Sequence, residues 1–239
     1  MLPPPPPGFE WRQTGDQSWT LYDPEFNESM HGRDGAWGET QVRFIGGCEI
    51  ARKWKEQSTL AILDVGIGLF TGLVALVALQ QQLQKEFPGQ TFRLHYIGLE
   101  LKSELISWGK TYGQKYYETF LPKEVVALAF AGNSDLLQVD MIEGDAKETF
   151  PKWKEKNPTL FFDAIFQDAY SPKNNPLLWD TTWFSLLKTC THPQTILSTF
   201  SAASKVKQSL AESGWIVSEG PLYGSKRGST IAKPTYTPT

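Results

Sequence analysis

Cysteine is scarce in this chain of 239 residues: Cys48 and Cys190 stand far apart, with no CxxC pair. That spacing suggests neither a disulfide framework nor a cysteine-held zinc. The three histidines, His31, His95 and His192, lack metal-ligand spacing, so no metal site is expected. Long apolar runs are missing as well. The longest, Gly72 to Leu79, is too short to cross a bilayer and leads into Gln80-Gln81-Gln82. Neither a signal peptide nor an internal repeat is evident. Nor is there an excess of positive charge: 23 Lys and Arg against 26 Asp and Glu give a net charge of -3. Binding of nucleic acid by bulk charge is thereby excluded, whereas a local basic patch is not. What remains is a cytoplasmic protein with no membrane association.

The material that is present suffices for one large domain, because apolar content is 40% and aromatic content 13%. Met1 to Gly8, MLPPPPPG, can form neither helix nor central strand and reads as an extended, mobile arm. Phe9 to Gly38 has no clear period and reads as an irregular lead-in; Glu39 to Lys55 reads as a helix that Gly46-Gly47 could break. From Thr59 strands alternate with helices. LAILDV (60–65), FRLHYIGLE (92–100), LLQVDMIEGDA (136–146), LFFDAIFQD (160–168) and QTILSTF (194–200) are the strands. Helices are expected over Thr71 to Phe87, Ser103 to Tyr117 with Ser103 as cap, Glu124 to Ala131, Trp179 to Cys190 and Ser201 to Glu212. WIVSEG (215–220) and STIA (229–232) close the chain without a helix between them, which predicts an antiparallel hairpin at one edge. The fold class is α/β, a doubly wound, mostly parallel sheet, and such sheets bind ligands beyond the carboxyl ends of their strands.

Chemistry-bearing residues collect at those ends. Asp64-Val65-Gly66-Ile67-Gly68-Leu69-Phe70-Thr71-Gly72 follows the first strand, where glycine serves either close backbone approach to a ligand or a tight turn alone. Glu100 ends the second strand, where a carboxylate can accept from both hydroxyls of a ribose. Asp145 follows the third and can accept from an adenine amino group. Each acid also has a plain reading as a solvated strand end. Taken together they describe an adenosine site. The pattern is GxGxxxG rather than GxGxxG, and GxxxxGK[ST] is absent, so a pyrophosphate is disfavoured. A sulfonium suits a rim of acids better, and S-adenosyl-L-methionine is the expected cofactor.

Asp168 ends the fourth strand, where methyl transfer would occur; a carboxylate there can take or hold the proton of an acceptor amine. Tyr170 can stack on a base or brace the adenine, while Pro172 and Pro176 stiffen the loop that positions both. A capped strand end followed by a proline-rich turn is the alternative. Glu39 is either a helix-start acid or a ligand contact. Lys173, Lys226 and Arg227, with Lys205, Lys207 and Arg33, form either a basic rim for phosphate or an ordinary solvated face.

Seven stretches occur in a telling order: SMHGRDGAWGETQVRFIGG (29–47), the glycine turn (64–72), GLE (98–100), EGDA (143–146), DAYSPKNNPLLW (168–179), TILSTFSAASKVKQSLAESGW (195–215) and GSKRGSTIA (224–232). On these the chain resembles the tRNA 5-aminomethyl-2-thiouridine methyltransferase family, the methyltransferase part of the bifunctional MnmC enzyme. The likeness spans about residues 29 to 232. It implies a class I S-adenosyl-L-methionine-dependent methyltransferase domain over 29–232, preceded by an irregular proline-rich segment (1–28) and followed by a tail (233–239). It implies N-methylation of the exocyclic amine of a modified wobble uridine in tRNA. It also implies that Glu39, Gly66, Glu100, Asp145 and Asp168 line the cofactor or reaction site, with Tyr170 beside Asp168. The bifunctional relatives carry a flavin oxidoreductase domain after this one, so a stand-alone transferase is expected here. Departures from the family turn, E-x-G-x-G-T-G, are Asp64 at the acid and Phe70 at the third glycine. Two other readings fit the residues: a small-molecule amine methyl- or aminopropyltransferase, and a S-adenosyl-L-methionine-binding module with weakened catalysis.

Overall fold

The structure is a computed structural model that describes residues 2–224 and 228–236. In chain order it begins with β1 (Glu10–Gln13), β2 (Trp19–Asp23) and β3 (Glu28–Ser29), then α1 (Ala36–Glu39) and α2 (Ile50–Glu56). There follow β4 (Thr59–Val65), α3 (Thr71–Glu86), β5 (Arg93–Glu100), α4 (Ser103–Trp108), α5 (Gln114–Tyr117), α6 (Lys123–Phe130), β6 (Leu137–Glu143) and α7 (Ala146–Lys156). The last elements are β7 (Phe162–Gln167), α8 (Thr181–Lys188), β8 (Thr191–Thr199), α9 (Ser204–Glu212), β9 (Trp215–Gly220) and β10 (Ser229–Pro234).

β4 and β7 are apolar almost throughout because helices cover both faces of the sheet, and every residue of β7 is buried. The seven-stranded sheet has the order β6-β5-β4-β7-β8-β10-β9, parallel from β6 to β8. The expected C-terminal hairpin is there: β9 and β10 pair antiparallel, and β10 slots in against β8. Two apolar cores flank the sheet, one centred on α3 and α4 to α6, the other on α7 to α9. The parallel register sets the strand ends level. Val65 pairs with Leu99 and with Gln167, and Glu100 pairs with Glu143. The turns after β4, β5, β6 and β7 therefore open at one rim. The chain reverses its winding direction between β4 and β7, which is where such sheets place ligands.

Several expectations need correction. The lead-in is not irregular: β1, β2 and β3 form an antiparallel sheet whose Leu21 is fully buried in the first core. The proline run is no free arm either. Pro3 O accepts from Trp11 Nε1 at 2.9 Å and Pro4 O from Trp108 Nε1 at 2.7 Å, since proline carbonyls without a neighbouring N–H make good partners for indoles. The helix expected over 39–55 is split by a π-helical stretch, Thr40–Gly46, and by left-handed Glu49. Gly47 lies so close to Arg43 that a Cβ would stand 2.0 Å from its carbonyl oxygen. The helix over 103–117 is likewise widened into a π segment at Gly109–Gly113, and its cap is Lys102 rather than Ser103. The helix expected from Trp179 starts at Thr181, with Asp180 accepting from the N–H of Trp183 at 2.7 Å; Trp179 ends a short 3-10 turn.

Candidate active site

At the carboxyl rim of β4, β5, β6 and β7 lies a cleft of about 1330 Å³ including its open mouth. Glu39, Asp64, Gly66, Gly68, Glu100, Asp145, Asp168 and Tyr170 all line it. Lys173 does not; it is exposed on the loop beyond. Lys226 and Arg227 lie outside the described residues.

The glycine turn is shaped by close approach. Gly66 has φ +91°, and a Cβ there would meet Asp168 O at 2.8 Å, so only glycine lets the β4 turn lie against the β7 turn. The N–H of Asp168 donates to Val65 O at 2.9 Å and completes the junction. Asp64 is buried and accepts from Tyr96 Oη at 2.6 Å, while Gly72 leaves room for its carboxylate. Burial pushes the Asp64 carboxyl up to about 7, and the nearby Glu100 charge pushes the same way against the Tyr96 hydrogen bond. Glu100 is buried too, and burial raises its pKa. Its Oε2 accepts from the Gly68 N–H and its Oε1 from the Lys102 N–H, both at 3.0 Å. Asp145 caps α7 by accepting from the Lys147 N–H at 2.8 Å. Glu39 accepts from the Gly32 N–H at 2.9 Å and pairs with Arg43 at 3.1 Å. A carboxylate has about four acceptor positions, so Glu100 and Asp145 retain capacity for a ligand.

Tyr170 is held rather than free. Its hydroxyl donates to Asp23 at 2.7 Å, and its ring stacks on Phe26 with centroids 4.2 Å apart, so one face is taken. Burial, followed by Asp23, raises its pKa. The loop after it is gripped by Glu28, whose carboxylate accepts from Ser171 N–H, Ser171 Oγ at 2.8 Å and Asn174 Nδ2 at 2.7 Å. Asp23 also faces Lys102, which bonds Glu25. Ser171 and Asn174 behind β7 thus hold the strand end to the N-terminal sheet. Sequence reading missed Asp23, Phe26, Glu28, Met30 and His31, because their segment lacks period. The one available signal was three carboxylates, Asp23, Glu25 and Glu28, packed into a short turn with Pro24 and Asn27.

Six carboxylates line the cleft, five of them besides Glu28, whose oxygens are spent on Ser171 and Asn174, and no Lys or Arg does so among the described residues. Such a wall repels phosphate and favours a cation, so the residues present suit a sulfonium donor.

The family model of a S-adenosyl-L-methionine-dependent methyltransferase matches residues 107–235. The chain belongs to that family. It is an enzyme whose cofactor is S-adenosyl-L-methionine. It is 28% identical over 96% of its length to the tRNA 5-methylaminomethyl-2-thiouridine biosynthesis bifunctional protein MnmC of Acidovorax sp. (strain JS42). A protein of the same name from Leptospira interrogans is 27% identical over 91% of this chain. The chain spans about a third of the length of these relatives, 35% and 34%. The crystal structure of MNMC2 from Aquifex aeolicus superposes with a TM-score of 0.77 at 27% identity, covering 97% of this chain and 73% of that one. No helix of the described residues is long and apolar enough to cross a membrane.

Proposed function

We propose that this methyltransferase acts on the exocyclic amine of 5-aminomethyl-(2-thio)uridine at the tRNA wobble position, giving the 5-methylaminomethyl nucleoside. The observation that carries the reading is Asp168, a half-buried acid whose backbone packs against Gly66 and which lines a cleft whose charged lining is acidic. A carboxylate at the strand end can pair with an ammonium, which suits an amine acceptor. The relatives' names support tRNA as the carrier of that amine. S-adenosyl-L-methionine supplies, when bound, an electrophilic methyl group on a sulfonium. Gly66 and Gly68, Glu100, Asp145, Asp64 and Glu39 are the residues that would hold it. The acceptor amine is a nucleophile only when deprotonated, so the Asp168 carboxylate holds the ammonium and takes the proton that nitrogen sheds. Tyr170, fixed between Phe26 and Asp23, keeps the Asp168 turn in place, and Lys173 with Lys226 and Arg227 would meet the phosphates.

Methyl-labelled S-adenosyl-L-methionine, given tRNA that bears the aminomethyl nucleoside, should place label in the methylaminomethyl product by nucleoside mass spectrometry. An Asp168→Asn variant should bind S-adenosyl-L-methionine like the wild type and lose roughly 10²- to 10⁴-fold in turnover. Equal turnover removes Asp168 from the mechanism. Label entering small amines and never RNA favours the small-molecule transferase instead, and tight cofactor binding without any transfer favours the binding module.

A further inference from the structure

We infer that Glu28, on β3 of the N-terminal sheet, is a positioning residue for methyl transfer: it holds the segment 168–175 in the geometry that aims Asp168. This deepens the reading above and rests on it for the identity of the acceptor.

The carboxylate of Glu28 accepts from three donors of the turn after Asp168. Ser171 gives its N–H, 3.1 Å and 3.2 Å from the two oxygens, and its hydroxyl, while Asn174 gives its amide nitrogen. The N–H groups of Asn174 and Asn175 both fold back on Ser171 O at 2.9 Å, so fixing Ser171 fixes the whole turn. Asn175 and Glu28 line the same cleft as Asp168. The same hairpin takes a second hold one step earlier, where Asp23 accepts from Tyr170 Oη. Glu28 belongs to a separate sheet from β7, so its grip is a tertiary constraint that the strand end could not supply for itself. Hydrogen bonds to an ionised acceptor are about twice as strong as neutral ones. A misplacement of about 1 Å near reacting atoms can cost roughly 100-fold in rate.

Three variants and two readouts test this. Glu28→Ala should lower kcat by about 30- to 100-fold, with KM for tRNA changed far less and the Kd for S-adenosyl-L-methionine within about twofold of wild type. Glu28→Gln, which keeps acceptor oxygen but not charge, should recover about a tenth or more of wild-type kcat. Asn174→Ala should be non-additive with Glu28→Ala in a double-mutant cycle. Hydrogen exchange needs no substrate: Glu28→Ala should speed exchange in 168–175 and leave the segment around Glu100 as it was. Unchanged exchange in 168–175, or an unchanged kcat alongside a lowered Tm, overturns the proposal. A parallel collapse of cofactor affinity and kcat overturns it as well, since that marks general loosening. A wild type that never methylates tRNA sinks the acceptor reading instead, and the exchange arm still decides whether Glu28 holds the loop.

Discussion

A carboxyl buried against Tyr96 and close to Glu100 is costly to ionise, and Asp64 is that group. Its pKa rises from an ordinary 3.8 to about 7 through burial. An acid with a raised folded pKa binds more protons folded than unfolded between those two values. The unliganded protein should therefore lose stability as pH climbs from about 4 to 7, and Glu100, shifted the same way, adds to the slope. Asp64→Asn removes part of it, worth at most roughly 4 kcal/mol at pH 8, and thermal denaturation across that range checks the flattening. A cationic cofactor works in the opposite sense because it favours the ionised carboxylate. Affinity for S-adenosyl-L-methionine should rise as pH passes upward through about 7, with proton release visible by calorimetry in buffers of different ionisation enthalpy. A wild-type affinity flat across that range would detach Asp64 from the cofactor.

The turn from β4 into α3 shows how an element can tolerate a side chain at a left-handed position that favours glycine. Phe70 sits at φ +68°, in the left-handed region, and caps α3 without a side-chain bond. Its ring is buried where a Cβ on Gly109 would come within 2.0 Å, and it lies 6.0 Å from the Phe130 ring. The π-widened stretch Gly109–Gly113 is the mould that receives it. Left-handed strain costs a non-glycine residue about 1 to 2 kcal/mol, whereas emptying a buried phenylalanine site costs about 3 to 5 kcal/mol. Packing wins. Phe70→Gly should thus destabilise the protein by about 1 to 4 kcal/mol in urea denaturation although it relieves the left-handed strain. A variant more stable than the wild type would mean that strain, not packing, governs this turn.

For the whole molecule, the N-terminal sheet is part of the core and of the cleft wall at once. Phe9 and Leu21 belong to the first apolar cluster, and Phe26, Glu28, Met30 and His31 face the cleft. Deleting residues 1–28 removes, among others, the buried apolar side chains of Phe9 and Leu21, worth about 1.5 to 3 kcal/mol each. A fall in Tm of roughly 10 °C or more is expected by scanning fluorimetry. A deletion as stable and active as the full chain would show the sheet to be an ornament. The doubly wound sheet was legible from apolar runs ending on Asp64, Glu100 and Asp168, because parallel strands buried on both faces leave continuous runs that need no partner to be seen. The gathering of those acids at one rim followed from the same pattern. The lead-in was not legible: its strands are of two to five residues, and they are stabilised by contacts with Trp108, Tyr116, Ser171 and Asn174 far along the chain. Local order alone determined the sheet and its acidic rim, since periodicity and glycine placement act over a few residues. Only the tertiary structure decided that Tyr170 is pinned by Asp23 and the loop after it by Glu28, because a hydrogen bond across 143 residues of chain leaves no mark in local sequence.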